Sequence, residues 1–282
     1  IQSFSPINGG MDYALRLGLP DKNVLEHLHW LNGSFGDSLK KAIPEEGIEL
    51  IPLADHALSQ GDDCHGRTVA ATGQLLACLE ARLSQVENGD KSIEYIEHSP
   101  PFFLNLWMAA SKLIMLAAAD MKNSSVITSI GGNGLEFGIQ IAGLPGYWVT
   151  TPAKTPTAIY EPGFSKKDGL GAIGDSAVIE GLGLGAMAIR FSPVQQKSFA
   201  PVLPTEACDL PRNLLGKVHP AFAKTNVLFG TIVRQIVQTN TSMIISLGVI
   251  DIEGKNGRVG GGIYRPPLDI FNTIYQQLKN NN

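Results

Sequence analysis

SSVITSIGGNGLEFGIQIAGLPGYWVTT, residues 124–151, is where the character of this chain changes. Glycine becomes frequent, and β-branched residues appear in short runs at 126–128, 137–141 and 147–150. Short apolar runs between turns that contain glycine or proline are typical of β-strands. We therefore predict that strands begin here.

Upstream of that stretch, apolar residues recur at helical spacing. Asp21 can cap a helix that carries apolar residues at 24, 25, 28 and 31, and an Ala- and Leu-rich helix is predicted at Val69–Leu83. The apolar stretch 102–119 reaches membrane length, but Asn105 and Lys112 share one helical stripe. This pattern indicates a buried core helix and no membrane span.

Downstream, helical patterns return at 176–182, 231–237 and 268–278, and strands are predicted near 243–249 and 259–264. The patterns therefore predict a helical first part followed by a region rich in short strands.

Composition bounds the function classes. The 282 residues carry a net charge of −4 without a Lys/Arg cluster, which argues against nucleic acid or an anionic membrane as partner. The three cysteines, Cys64, Cys78 and Cys208, form no CxxC pair, so neither a disulfide framework nor a closed zinc site is predicted. We expect a reducing, cytoplasmic compartment. The first residue is Ile, so we expect that translation starts further upstream.

The segment GDDCHGRT, 61–68, directly precedes a predicted helix. Backbone N–H groups at a helix start favour anions, and Arg67 can add a bidentate contact. His65 beside Asp62 and Asp63 can serve as a general base or a metal ligand. The alternative is a capped helix start in which Arg67 forms a local ion pair.

Three further segments combine glycines with polar residues. In 129–148, Gly134 allows close backbone approach, and Asn133 and Glu136 are the polar groups; a glycine-bearing hairpin is the alternative. In 171–188, Asp175 can form a carboxylate pair with Glu180, while Ser176 can bind substrate or simply cap a helix. In 257–267, Arg258 and Arg265 flank glycines and can bind an anion. The alternative is a surface hairpin.

The order and wording of these segments resemble the YlbE-like family of uncharacterised proteins. The matching blocks cover the chain from about residue 55 to its end: GDDCHGRTVAAT (61–72), FFLNLWMAASK (102–112), NGLEFGIQIAGLPGYW (133–148), PGF (162–164), IGDSAVIE (173–180) and GRVGGGIYRPPLDIF (257–271). The resemblance implies an α+β fold, with a helical subdomain at 21–122 beside an irregular α/β domain with mixed sheets and Gly-rich loops at 123–282. Residues 1–20 would be the remnant of a preceding α/β region.

Some members of that family are implicated as one subunit of oxamate carbamoyltransferase, which phosphorolyses oxalurate in allantoin degradation. Others sit beside FdrA-like and YlbF-like partners. The resemblance therefore implies a subunit that binds a small anionic metabolite or phosphate, and it is compatible with a homo-oligomer. The alternative is a non-catalytic binding or scaffold subunit of a metabolic complex.

Under the catalytic hypothesis, the four polar segments fold together around one cavity that favours negative charge. His65 and Asp175 handle a proton, and no metal or cofactor is assigned. The remaining candidates bind the substrate: Asp62, Asp63, Arg67, Asn133, Gly134, Glu136, Ser176 and Arg265.

Overall fold

The computed structural model describes residues 1–7, 19 and 21–281, so most of the predicted 1–20 remnant lies outside the described residues. The region that follows is helical, as predicted. Asp21 caps the first helix by accepting a hydrogen bond from the N–H of Asn23 at 2.7 Å. A π-helical turn at Leu31–Phe35 joins the first two helices. The helices of this region are α1 Lys22–Trp30, α2 Gly36–Ala42, α3 Leu50–Ser59, α4 Val69–Leu83, α5 Gly89–Glu97 and α6 Phe102–Leu116.

Strands begin at residue 127, inside the stretch where the sequence changes character. A first sheet has the order β3-β2-β1-β5, and a second contains three strands in the order β4-β9-β8. A small third sheet pairs β6 with β7. The strands are β1 Ile127–Asn133, β2 Glu136–Ile141, β3 Val149–Pro152, β4 Thr157–Tyr160, β5 Ile173–Gly174, β6 Leu215–Val218, β7 Leu228–Thr231, β8 Ile245–Ile250 and β9 Arg258–Tyr264.

Short helices connect these strands, and a longer one ends the described chain. Turns of 3-10 helix lie at Lys166–Asp168 and Gly185–Phe191. The α-helices are α7 Ala177–Leu182, α8 Pro193–Phe199, α9 Leu210–Leu214, α10 Val233–Thr239 and α11 Leu268–Asn280.

The α+β class predicted from the sequence is confirmed, but the mixed character of the sheets is corrected. Every strand pair among the described residues is antiparallel. The physical reason lies partly in the connections, since β1 and β2 are joined by a two-residue turn that returns the chain alongside itself.

One hydrophobic core runs through the helical region and the sheets. Large fully buried side chains from both parts belong to it: Phe35, Trp107, Phe137, Ile179 and Phe271. The division into domains at 122/123 stays a prediction.

The apolar helix α6 packs inside the protein, as predicted from its polar stripe. Asn105 is buried, and Lys112 is directed to the backbone of residue 128. None of the described helices combines the length and hydropathy that a membrane crossing requires.

Candidate functional site

A cavity of about 760 Å³ opens between the α3–α4 loop, α8 and the second sheet. This volume is in the usual range of small-molecule sites. Residues from two of the four predicted segments line it, together with Ser246 from β8, which the sequence did not single out. The polar lining includes His65, Glu161, Ser246, Asn256 and Arg258.

The loop 61–68 holds His65 at the cavity through its two aspartates. One carboxylate oxygen of Asp63 accepts hydrogen bonds from the N–H groups of His65 at 2.9 Å and Arg67 at 2.8 Å. Asp62 accepts from the N–H of Ala71, in the first turn of α4, at 3.1 Å. Both aspartates are fully buried. The two aspartates therefore fix the conformation of the loop from its buried side and do not face the cavity.

Glu180, in α7, is buried next to the cavity, and its carboxylate accepts hydrogen bonds from several groups of the site. Its Oε1 accepts a hydrogen bond from Nδ1 of His65 at 2.7 Å and from the hydroxyl of Ser246 at 2.6 Å. The N–H of Ser246 donates to the same oxygen at 2.9 Å, and the N–H of Ala186 donates to Oε2 at 2.9 Å. The side chain of Glu180 has no solvent exposure. Four donors thus satisfy one buried carboxylate, as a buried charge requires.

The conformation of Gly185 makes this arrangement fit. Gly185 has a φ of +62°, and a Cβ built on it would lie 2.2 Å from Oε1 of Glu180. Its N–H donates to the carbonyl oxygen of Asp63 at 2.9 Å. The glycine therefore joins the loop that carries His65 to the segment that carries Glu180, without a side chain in the way.

The protonation of His65 follows from its surroundings. Burial lowers the pKa of His65, but the hydrogen bond and charge of Glu180, with Asp63 and Asp175, more than offset it, so the net direction is upward. Because the carboxylate of Glu180 can only accept, the proton on that side belongs to Nδ1. Nε2 makes no hydrogen bond with any described residue. It is therefore available to exchange a proton with a ligand.

Ser246 is bonded to the same carboxylate as His65. Its hydroxyl donates to Oε1 of Glu180 at 2.6 Å and lies 3.2 Å from Nδ1 of His65. The arrangement is a buried carboxylate–histidine pair, with Ser246 bonded to the carboxylate.

Arg258 supplies positive charge at the cavity. Its Nε donates to the carbonyl oxygen of Gly260 at 2.9 Å. Cβ atoms built on Gly248 and Gly261 would lie 3.6 Å and 2.9 Å from Arg258 side-chain atoms, so the side chain runs across two glycine positions. No carboxylate among the described residues forms an ion pair with it. The guanidinium is thus free to meet an anion.

Three of the four predicted segments meet at this site. The first and fourth line the cavity, and the third supplies Glu180 below His65. The second does not take part. Asn133 closes the β1–β2 turn by accepting from the N–H groups of Leu135 and Glu136, and Gly134 takes a φ of +88° in that turn. Glu136 itself is exposed and accepts from the hydroxyl of Thr150.

The other predicted residues also lie outside the cavity lining. Arg67 forms an ion pair with Asp62, with 3.4 Å between Nε and Oδ1. Arg265 pairs with the exposed Glu206 at 2.8 Å. Asp175 lines a separate pocket, and Ser176 precedes α7 without a side-chain capping bond. Sequence reasoning singled out His65, and it named Arg258 as a cation and Glu180 as the partner of Asp175.

Within the described residues, no three His, Cys, Asp or Glu side chains converge in a way that could hold a metal ion. Asp62 and Asp63, which the sequence offered as ligands beside His65, are instead bonded to backbone N–H groups.

Comparison with known proteins places this chain in a family. A family profile described as oxamate carbamoyltransferase subunit AllG matches residues 1–176, more than half of the chain. The chain belongs to the AllG family. The family resemblance predicted from the sequence blocks is thereby confirmed. The profile match ends four residues before Glu180, so part of the site lies beyond it.

Individual relatives of this AllG-family chain are similar over almost all of its length. Oxamate carbamoyltransferase subunit AllG of Escherichia coli K12 is 27% identical over 98% of this chain and 70% of the relative. The uncharacterized protein YahG of the same organism is 29% identical over 95% of this chain and 60% of YahG. A crystal structure of a conserved protein of unknown function from Enterococcus faecalis V583 superposes with a TM-score of 0.84 at 27% identity, over 99% of this chain and 69% of that one. The chain thus spans about two thirds of the length of these proteins.

Proposed function

We propose that this chain is a subunit of a carbamoyltransferase-type complex and that its cavity binds a small anionic substrate. The observation that carries the proposal is the pairing of two features in one cavity: His65, oriented by the buried Glu180, and Arg258, which has no carboxylate partner among the described residues. The name of the AllG relative supports the reaction class and the role as a subunit beside partner proteins.

The lining fits a molecule with an anionic end and an amide end. Arg258 would hold carboxylate or phosphate oxygens in a bidentate contact. Glu161 and Asn256 also line the cavity and offer oxygens to amide N–H groups. Oxalurate, oxamate and carbamoyl phosphate all combine these two chemical features.

The proton chemistry would follow from the dyad of His65 and Glu180. In phosphorolysis of oxalurate, a phosphate oxygen attacks the ureido carbon, and the bond from that carbon to the oxamate nitrogen breaks. Protonated His65 would give its Nε2 proton to the departing nitrogen, while Glu180 stabilises the imidazolium before transfer. In the reverse direction the same nitrogen atom of His65 takes the proton back.

Substitution of Arg258 tests the proposal. Arg258→Met should weaken calorimetric binding of oxamate or phosphate by at least about tenfold, because a charge-assisted contact is lost. Arg265→Met is the matched control, since Arg265 is paired with Glu206 outside the cavity. Equal binding by wild type and Arg258→Met, or a loss confined to Arg265→Met, would overturn the proposal.

A scaffold role is the second candidate, and one observation favours it. Asn133 and Glu136 are exposed at the β1–β2 turn beside Leu135, whose side chain is 75% exposed. A scaffold role would place this exposed turn against a partner subunit. If the scaffold role is the whole function, Leu135→Asp blocks assembly of the complex while Arg258→Met leaves turnover of the assembled complex intact.

A further inference from the structure

A second pocket, of about 300 Å³, lies on a different part of the molecule from the cavity at His65. Its walls come from the N-terminal segment, α6, β1 and the start of α7. The polar side chains in its lining are Ser5, Lys112, Ser129 and Asp175. No residue is shared between the linings of the two pockets.

Lys112 is a partly buried cation without a carboxylate partner among the described residues. Its Nζ donates to the carbonyl oxygen of Thr128 at 2.8 Å and to the hydroxyl of Ser129. It forms no ion pair with any described residue, although Asp175 lines the same pocket. A desolvated ammonium with neutral partners alone is costly. The burial also lowers the pKa of Lys112. An anion in the pocket would offset this cost.

The other polar groups define the remaining part of the ligand. Asp175 offers carboxylate oxygens, which accept hydrogen bonds and repel a second negative charge. The hydroxyl oxygen of Ser5 is buried and has no hydrogen-bond partner among the described residues. A ligand that satisfies both residues therefore needs an anionic group for Lys112 and an N–H donor for Asp175.

We infer that the pocket lined by Lys112 and Asp175 is a separate binding site for a small molecule with a carboxylate at one end and an amide, ureido or ammonium group at the other. Lys112 would hold the carboxylate, Asp175 would accept from the N–H group, and Ser5 would donate to the ligand. The volume is at the lower end for ligand pockets, so the ligand is a small metabolite. The site would exist whether or not the cavity at Arg258 binds substrate.

Trp148 provides a local probe, because it lines this pocket and lies outside the lining of the larger cavity. Its indole N–H signal in NMR spectra, assigned with Trp148→Phe, should move on addition of oxamate, which has a carboxylate and an amide. Oxalate, with two carboxylates and no N–H group, should bind more weakly. The same shift should occur in Arg258→Met, which separates this site from the proposed substrate cavity.

Two variants test the roles of the charged residues. Lys112→Met should weaken the oxamate titration of Trp148 by at least about tenfold. Asp175→Asn should reduce the preference for oxamate over oxalate, since the repulsion of a second carboxylate is removed. Lys122→Met, a matched change at an exposed lysine, should bind like the wild type.

Thermal unfolding measured by circular dichroism identifies variants that lose their fold. If Lys112→Met is unfolded, Lys112→Arg is used in its place, and it should keep oxamate binding because the positive charge is kept. The inference is overturned if the Trp148 signal does not move, if folded Lys112→Met binds oxamate as the wild type does, or if only Arg258→Met removes the shift.

Discussion

At the scale of single residues, Glu180 controls the proton on His65. We expect Glu180→Gln to lower the pKa of His65 by at least about one pH unit, because burial then acts without the opposing carboxylate. The measurement is an NMR titration of the histidine ring C–H signals, with His65→Gln to assign the resonance. In the wild type, a raised pKa means that protonation of His65 stabilises the fold below its unfolded pKa and that this contribution is lost as pH rises through the folded value.

The matched control is Glu136→Gln, since the side chain of Glu136 is exposed and its hydrogen bond among the described contacts is with the hydroxyl of Thr150. It should leave the titration of His65 unchanged. An unaltered His65 pKa in Glu180→Gln would contradict the role that we assign to the buried carboxylate.

Residues of the site differ in how far the sequence could predict them. His65 was predictable because a histidine between aspartates and glycines before a helix is an unusual local pattern. Glu180 carried a weaker signal, because it is a lone charge in an apolar, glycine-rich segment. The sequence therefore suggested Asp175, five residues earlier, as its partner and gave no indication of His65. Ser246 gave no signal, because a serine within a strand pattern is ordinary. Its contact with Glu180 exists only through tertiary packing across 66 residues.

At the scale of elements, the glycines of β9 have separate tasks. A Cβ on Gly262 would lie 2.2 Å from the carbonyl oxygen of Thr157 in β4, whereas one on Gly261 would meet the mobile end of Arg258 at 2.9 Å. We therefore expect Gly262→Ala to lower the free energy of unfolding by more than about 2 kcal/mol, because the two strands must separate. Gly261→Ala should change it by less than about 1 kcal/mol and instead weaken anion binding.

Urea denaturation and calorimetry with oxamate measure these two effects. The pair is its own control, since the same methyl group is added at adjacent positions. If Gly261→Ala were the more destabilising change, the close approach of β4 and β9 would not be the reason for the glycine at 262.

Helices were predicted more closely than strand pairing. The bounds of α4 agree with the Ala- and Leu-rich pattern at Val69–Leu83, and α1 begins after its predicted cap at Asp21. These features depend on neighbours three or four residues away. Strand partners depend on distant residues, as in the pairing of β4 with β9, about a hundred residues later. Whether paired strands run parallel or antiparallel was therefore the part of the fold that sequence patterns could not predict.

At the scale of the whole molecule, the buried aspartate Asp62 links stability to pH. Burial raises the pKa of Asp62 from 3.8 to about 6, although Ala71 and Arg67 partly oppose this. The folded protein thus keeps a proton that the unfolded chain has released, and the free energy of unfolding falls as pH rises between the two values. The loss is up to about 3 kcal/mol.

Asp62→Asn should remove this part of the pH dependence, because an amide does not ionise and can still accept from the N–H of Ala71. Relative to the wild type, the variant should gain stability as pH rises from about 4 to 7. Urea denaturation across this range measures it, with the exposed Asp209→Asn as control. A constant difference between variant and wild type at every pH would contradict the expectation.

The site draws its parts from distant stretches of the chain, and this has a consequence for biosynthesis. His65 and Glu180 are translated long before β8 and β9, which carry Ser246 and Arg258. Until β8 has been synthesised, the carboxylate of Glu180 lacks the two donors that Ser246 later supplies. Domains mature as the chain emerges from its N-terminal end. Under the proposed function, a chain without β8 and β9 therefore lacks Ser246 and Arg258 and has an incomplete binding cavity.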